Sequence, residues 1–266
     1  MSLHESRVVR HPVVFRRVQV ISTQVLSPSM RRIVVGGEEL AGFTSGAPDD
    51  HVKLFFPNAE GEFVTPTMTP QGPVYPEGKA HSPMRDYTPR HYDVEANTLT
   101  LDFVRHGDGP AVRWAERAQP GDALALGGPR GSFVAADDFD HYVLLGDETA
   151  LPAISRWLEE MPDDGRQVQV FIEIPEEDDR QDLQCQADAQ VSWLERNGVP
   201  AATSTLLEDT LRDFDPPEGD TFYWIACESR RARMMRKFLE GHLQVPKDWI
   251  RATGYWKHDA NGEDED

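Results

Sequence analysis

The feature that most constrains this chain is a change of hydrophobic pattern near His141. Upstream, the apolar stretches are short, β-branched or aromatic, and bounded by Gly, Pro or Asp: Val13 to Val25, Arg31 to Val35, His51 to Phe56, Tyr87 to Val94 and Thr98 to Val104. In the last of these, Leu99, Leu101 and Phe103 alternate with Thr98, Thr100 and Asp102, the period-two signature of a strand with one buried face. Asp122 to Leu126 reads as a further strand, and a Pro-rich connection without periodicity runs from Pro57 to Pro83. Downstream, strand-like runs at Tyr142 to Leu145, Val168 to Ile174, Ala201 to Leu206 and Thr221 to Ala226 alternate with helices. One helix carries Leu151, Ile154 and Leu158, a second is expected around Ala187 to Arg196, and a third from Arg230 to Glu240. Ile250 to Lys257 closes the pattern as an aromatic strand. The expected architecture is two-domain: an antiparallel β-barrel over 1–135, a doubly wound α/β domain over 136–258, and a frayed acidic tail over 259–266. A chain of 266 residues is long enough for two cores.

The net charge of −19 argues against nucleic acid as a partner and opposes anionic ligands generally, so any small anion needs a local basic pocket. Only two cysteines occur, Cys185 and Cys227, widely separated; they read as buried thiols in a reducing compartment. No stretch is long and apolar enough for a membrane span, and Met1 to Arg17 lacks the apolar core of a secretory signal, so cytoplasm is expected. His11, His51, His81, His91 and His106 show no metal-ligand spacing, and no bound metal is expected.

Two segments of the first half suit a phosphate-bearing, flat ligand. In Arg85-Asp86-Tyr87-Thr88 the arginine and the aromatic fall on one face of a strand, where a guanidinium can clamp a pyrophosphate and a phenol ring can pack on a flat ligand. The alternative is a core aromatic beside a rim charge. In His106-Gly107-Asp108-Gly109-Pro110-Ala111 a glycine loop turns into a helix whose free N–H groups suit a phosphate; an ordinary helix start is the alternative. In the second half the strand ends Gly146-Asp147-Glu148-Thr149 and Cys227-Glu228-Ser229 are the expected binding edge, and no G-x-G-x-x-G is present. The helix that follows carries Arg230, Arg231, Arg233, Arg236 and Lys237 beside an apolar stripe of Ala232, Met235, Phe238 and Leu239. These cations either meet the extra phosphate of a phosphorylated dinucleotide or pair with nearby acids.

Taken in order, His51-Val52-Lys53-Leu54-Phe55-Phe56-Pro57, Arg85-x-Tyr87-Thr88, His106-Gly107-x-Gly109-Pro110-Ala111-x-x-Trp114-Ala115, Gly128-Pro129-Arg130-Gly131-Ser132, Gly146-Asp147-Glu148-Thr149-Ala150-Leu151-Pro152 and Gly254-Tyr255-Trp256-Lys257 resemble the siderophore-interacting proteins. These are FAD-dependent ferric-siderophore reductases of the ferredoxin-reductase-like group. The similarity covers nearly the whole chain. It implies a FAD-binding barrel and an NAD(P)H-binding α/β domain, with NADPH or NADH as donor and a reduced ferredoxin as the alternative. The cofactor set it implies is Arg85, Asp86, Tyr87, Thr88, Asp102, Phe103, Val104, His106, Gly109, Pro110, Ala111 and Trp114, joined by Asp147 and Thr149. Thr88 is expected at the isoalloxazine edge, and Gly107 to Ala111 at the pyrophosphate. Lys53, Arg130 and Lys257 match the family's basic triad for the ferric-siderophore, and Glu228, Arg230 and Arg231 are candidates for the dinucleotide. Cys227 departs from the glycine common before that glutamate. No side chain need act as acid or nucleophile, because the flavin carries the chemistry. A monomer acting on a small-molecule chelate is expected; a general flavin reductase with a protein partner and a non-catalytic flavoprotein that carries the chelate are the alternatives.

Overall fold

The computed structural model describes residues 4–105, 107–258 and 264–265, which fall into two compact units. The first is built from Val8–Leu26 and Met30–Val134. Its strands are β1 (Arg7–Arg10), β2 (Phe15–Ser27), β3 (Met30–Gly36), β4 (Val52–Phe55), β5 (Thr67–Thr69), β6 (Gly72–Val74), β7 (Met84–Tyr87), β8 (His91–Asp93), β9 (Thr98–Val104), β10 (Ala123–Gly127) and β11 (Gly131–Val134). Seven of them form one sheet in the order β7-β4-β10-β2-β3-β9-β8, while β1 pairs with β11 and β5 with β6. Alternation drives the packing. Leu99, Leu101 and Phe103 of β9 are fully buried, and they share one core with Val18 and Val20 of β2, Ile33 and Val35 of β3, Val52 and Leu54 of β4, and Leu124 and Leu126 of β10. An antiparallel sheet whose strands all feed a single core is curled in the barrel manner. Helix α1 (Pro110–Arg117) adds Ala111 and Ala115 to it.

Two local expectations are revised in this unit. The single strand read over Tyr87 to Val94 is two strands with different partners: β7 pairs with β4, and β8 with β9. Pro89 lies in the break and has no N–H to give to a ladder. The Pro57 to Pro83 connection carries the short hairpin β5–β6, whose three-residue strands are below the length at which alternation can be read.

The second unit is built mainly from the chain beyond Ala135. It contains β12 (His141–Gly146), β13 (Gln167–Ile174), β14 (Asp188–Glu195), β15 (Thr221–Glu228), β16 (Ile250–His258) and β17 (Asp264–Glu265), with α2 (Leu151–Glu160), α3 (Leu206–Asp213) and α4 (Ser229–Gly241). The sheet order is β14-β13-β12-β15-β16-β17, parallel through β16, and β17 runs antiparallel to Lys257 and His258. Every residue of β15 is buried, which is why its sequence is a continuous apolar run rather than an alternating one. The order turns at β12 and β15, so the crevice outside their carboxyl ends is the unit's natural binding edge.

Here the expected helix over Ala187 to Arg196 is strand β14. Eight consecutive parallel pairings with β13 outweigh the helix-forming Ala, Gln, Leu and Glu of the segment, and Val191 and Trp193 suit a pleated surface. The expected strand over Ala201 to Leu206 is a short 3-10 turn at Ala201–Thr203 followed by α3, in which Leu207 and Leu211 are four apart on one buried face. Cys227 is buried as expected, but Cys185 is exposed.

The N-terminus is tied to this unit by His4. Its Nδ1 lies 2.9 Å from Asp138 Oδ1 and its Nε2 2.9 Å from Asp220 Oδ2, with the ring stacked on Phe139. Burial pulls the imidazole's affinity for a proton down, but the bonds to Asp220 and Asp138 outweigh it and the pKa is raised. A raised folded-state pKa contributes stability that is complete below the ordinary value of 6.5 and fades as pH climbs through the folded value. Melting temperature is therefore expected to fall between pH 6 and pH 8 more steeply in the wild type than in His4→Gln; parallel profiles in a thermal-denaturation series would remove the claim.

Candidate functional site

In the first unit the register pairs Tyr87 with Val52 and Arg85 with Leu54, so both side chains share the face of those core residues. Tyr87 is half-buried with its ring 4.4 Å from Phe103; Phe103 lies 5.7 Å from Trp114, and Trp114 5.7 Å from Phe56. This aromatic run ties β7, the end of β9 and α1 together, and Thr88 is buried beside Tyr87 in sequence. Tyr87 is thus a core-edge residue as well as a candidate stacking surface. Asp86 points to the opposite face, where it accepts from Lys53 Nζ at 2.7 Å. Asp102 is committed to structure: Arg32 donates to both of its oxygens, at 2.7 and 2.8 Å. Val104 is half-buried, and Arg105 after it is a half-buried cation that sequence reasoning passed over because it lies beyond the alternating strand. His106 lies outside the described residues.

Three features of this unit suit an anion. Arg85 Nη1 donates to the Met84 carbonyl at 2.9 Å, whereas its Nε is enclosed with no acceptor. An enclosed guanidinium N–H without a partner is costly unless a ligand supplies one. Helix α1 starts at Gly109-Pro110 with no side chain capping it. Gly107 has φ +74°, and a Cβ at Gly107 or Gly109 would meet nothing within 4 Å, leaving open space in front of the helix start. A flat ring with a pyrophosphate fits this set: the guanidinium and the helix start for phosphate, and the Tyr87 ring for the flat part.

In the second unit the binding edge is packed with charge. Asp147 is fully buried, accepting from Trp256 Nε1 at 2.8 Å and from the Thr149 amide at 3.0 Å as well as the Thr149 hydroxyl. Burial, then the neighbouring Glu148 charge, pushes its carboxyl up to about 6. Beyond it runs a buried chain of alternating sign. Arg196 donates to both oxygens of Glu148, at 2.7 and 2.6 Å, and to Glu173 at 3.3 Å. Arg231 donates to Glu173 at 3.0 and 2.7 Å and to Glu208 at 2.9 and 2.8 Å. The Arg231 guanidinium is therefore enclosed by two carboxylates, which revises its assignment to a dinucleotide phosphate; Arg230 is exposed. Its place was legible in the spacing, since Arg231, Met235 and Leu239 recur every four residues on the buried face of α4.

Glu228 is also spent locally. Its carboxylate caps α4, accepting from the amides of Arg230 at 2.6 Å and Arg231 at 3.0 Å, so this helix start is filled by the chain's own anion, unlike that of α1. Cys227 faces the core, and burial, reinforced by the Asp147 charge, pushes its thiol well above the usual range. Of the three cations matched to a basic triad, Lys53 and Arg130 are exposed on the barrel unit and Lys257 is exposed near the end of β16. Among the described residues no helix is long and apolar enough to cross a membrane, and no cluster of metal-ligating side chains is found.

The chain thus joins a curled antiparallel unit, with Arg85 and Tyr87 on one face of β7 and an uncapped helix start at Gly109, to a doubly wound α/β unit. Residues 19–133 match the siderophore-interacting FAD-binding domain, and residues 139–259 match the siderophore-interacting protein domain. The chain is 37% identical over 93% of its length to an NADPH-dependent ferric-chelate reductase of Escherichia coli, covering 95% of that protein. It is 32% identical over 93% of its length to the ferric vibriobactin reductase ViuB of Vibrio cholerae, covering 91% of it. A crystal structure of a siderophore utilization protein from T. fusca superposes with a TM-score of 0.89 at 38% identity, covering 98% of this chain and 99% of that one. The chain belongs to the siderophore-interacting protein family.

Proposed function

We propose that this protein is a ferric-siderophore reductase, drawing electrons from NADPH or NADH and delivering them to chelated Fe(III). The observation that carries the cofactor assignment is the enclosed Arg85 Nε without an acceptor, in a unit whose α1 start is also uncapped. FAD, when bound, would supply the redox chemistry between a nicotinamide donor and the substrate iron, being able to accept a hydride and to give up single electrons. The protein's own work is positional. Arg85 would hold the pyrophosphate with the N–H groups of Gly109 and Ala111, Tyr87 would back the ring with Phe103 packed on it and Trp114 packed on Phe103, and Thr88 would offer its hydroxyl at the ring edge. Asp147 and Thr149 are assigned to the same cofactor on the resemblance of their motif. Fe(II) binds hard oxygen ligands far more weakly than Fe(III), so reduction releases the metal.

Substrate capture falls to Lys53, Arg130 and Lys257. The charge is divided unevenly: the barrel unit carries 13 basic and 14 acidic side chains, the remainder of the chain 14 and 32. The nearly neutral unit is where a negatively charged chelate meets least repulsion, and two of the three cations are on it. Lys53 is held in place by Asp86, an exposed pair weak enough to yield to a multiply charged ligand. Arg230 is assigned to the dinucleotide phosphate. The filled start of α4 favours a second donor, a reduced ferredoxin, as the alternative reading. The protein is taken to act in the cytoplasm as a monomer. Steady-state reduction of a ferric-siderophore with NADPH, NADH or reduced ferredoxin, read through a ferrous chelator, is expected to give turnover with at least one donor; none with any of them would overturn the proposal.

A further inference from the structure

Beneath the loop that carries Arg130 lies a buried polar node that the reaction does not use. Asp50 and Ser132 are 2% and 1% exposed. Ser132 Oγ donates to Asp50 Oδ2 at 2.7 Å, lies 2.8 Å from His11 Nε2, and accepts from the Gly46 amide at 3.2 Å. The same Asp50 oxygen accepts from Ser45 Oγ at 2.9 Å and from the amides of Gly46 at 2.8 Å and Ala47 at 3.3 Å, while Oδ1 is enclosed with no partner. All of the carboxylate's hydrogen bonds thus converge on one oxygen and one junction. A structural turn would need the amides of Gly46 and Ala47; it would not need a bond to a serine 82 residues away.

The position of that junction gives it a use. Asp50 is three residues before Lys53, and Ser132 two residues after Arg130. The segments are joined again where Lys53 pairs with Gly127 in the β4–β10 ladder. Between Gly127 and Ser132 the chain makes a tight excursion, pinned by Gly128 N to the Val14 carbonyl at 3.2 Å and by His11 N to the Arg130 carbonyl at 3.0 Å. Gly131 permits the close approach to β1, since a Cβ there would lie 2.8 Å from the Val9 carbonyl. The loop bearing Arg130 is therefore closed at one end by the ladder and at the other by the Asp50–Ser132 bond.

We infer that Asp50, Ser132 and His11 are positioning residues that set the spacing of Lys53 and Arg130, and hence which ferric chelates the two cations grip together. The inference rests on the proposed role of those cations. Small shifts of a positioned charge weaken a bidentate grip on a substrate without altering the flavin's chemistry. The test is steady-state kinetics of Ser132→Ala with a ferric-siderophore, beside Lys53→Ala and Arg130→Ala. KM for the chelate is expected to rise roughly fivefold to tenfold in Ser132→Ala, with kcat, flavin absorbance and KM for the electron donor unchanged. If Lys53→Ala and Arg130→Ala raise KM but Ser132→Ala does not, the positioning role is overturned; if none of the three does, the proposed substrate cations are wrong and the inference falls with them. Should Ser132→Ala lose flavin, His11→Ala at the half-exposed rim decides instead: a KM raised roughly twofold to threefold supports the role, and an unchanged KM overturns it.

Discussion

Arg85→Ala is expected to purify without flavin and to reconstitute only at FAD concentrations about a hundredfold above those needed by the wild type. The guanidinium has one N–H bonded to the Met84 carbonyl and an enclosed Nε with none, so it keeps hydrogen-bonding capacity for the proposed pyrophosphate contact. Charge-assisted bonds to a phosphate are worth about 1.5–3 kcal/mol each relative to solvent, and two of them account for the loss with some offset from water that fills the vacated site. Arg85→Lys keeps the charge but not the fork and should fall between the two. Titration of apoprotein with FAD by flavin fluorescence quenching measures this. Equal affinity in wild type and Arg85→Ala would take the cofactor away from β7.

The second large effect is on stability. Arg231→Ala removes the cation that bonds both oxygens of Glu173 and of Glu208, leaving Glu173, which has no exposed side-chain area, only the longer 3.3 Å contact with Arg196. Breaking a buried pair from one side leaves uncompensated charge and costs about 3–5 kcal/mol, a large share of a domain's total. Urea unfolding should show the α/β unit's transition moved to much lower denaturant. Arg230→Ala, one residue earlier but exposed, should leave the transition in place. If Arg231→Ala costs under about 1 kcal/mol, the carboxylates are taking up protons or water instead, and the network is not the structural unit described.

Strong periodicity was legible: β9 alternates, β15 is continuously apolar, and the change of pattern near His141 separates the two architectures. Strand β14 was not legible, because its identity comes from eight pairings with β13 that no local pattern encodes. The arginine–aromatic pair proposed to hold the flavin was legible as a motif, but the motif could not say which charges are spent elsewhere. Asp102 to Arg32, Asp86 to Lys53 and Arg231 to Glu173 and Glu208 are long-range pairings that decide whether a polar side chain is free for a ligand. The junction of Asp50 with Ser132 was invisible for the same reason: two ordinary polar residues, far apart in sequence, become one feature only in the folded chain.

The most direct test of the account is a single-turnover experiment on the purified holoprotein under anaerobic conditions. Flavin absorbance near its visible maximum is followed while NADPH, NADH or reduced ferredoxin is added, and then while a ferric-siderophore is mixed in with a ferrous chelator present. The account predicts bleaching by at least one donor, recovery of the oxidised spectrum on mixing with the chelate, and two Fe(II) trapped per flavin. Bleaching without recovery, or recovery without trapped Fe(II), would contradict ferric-siderophore reduction as this protein's function.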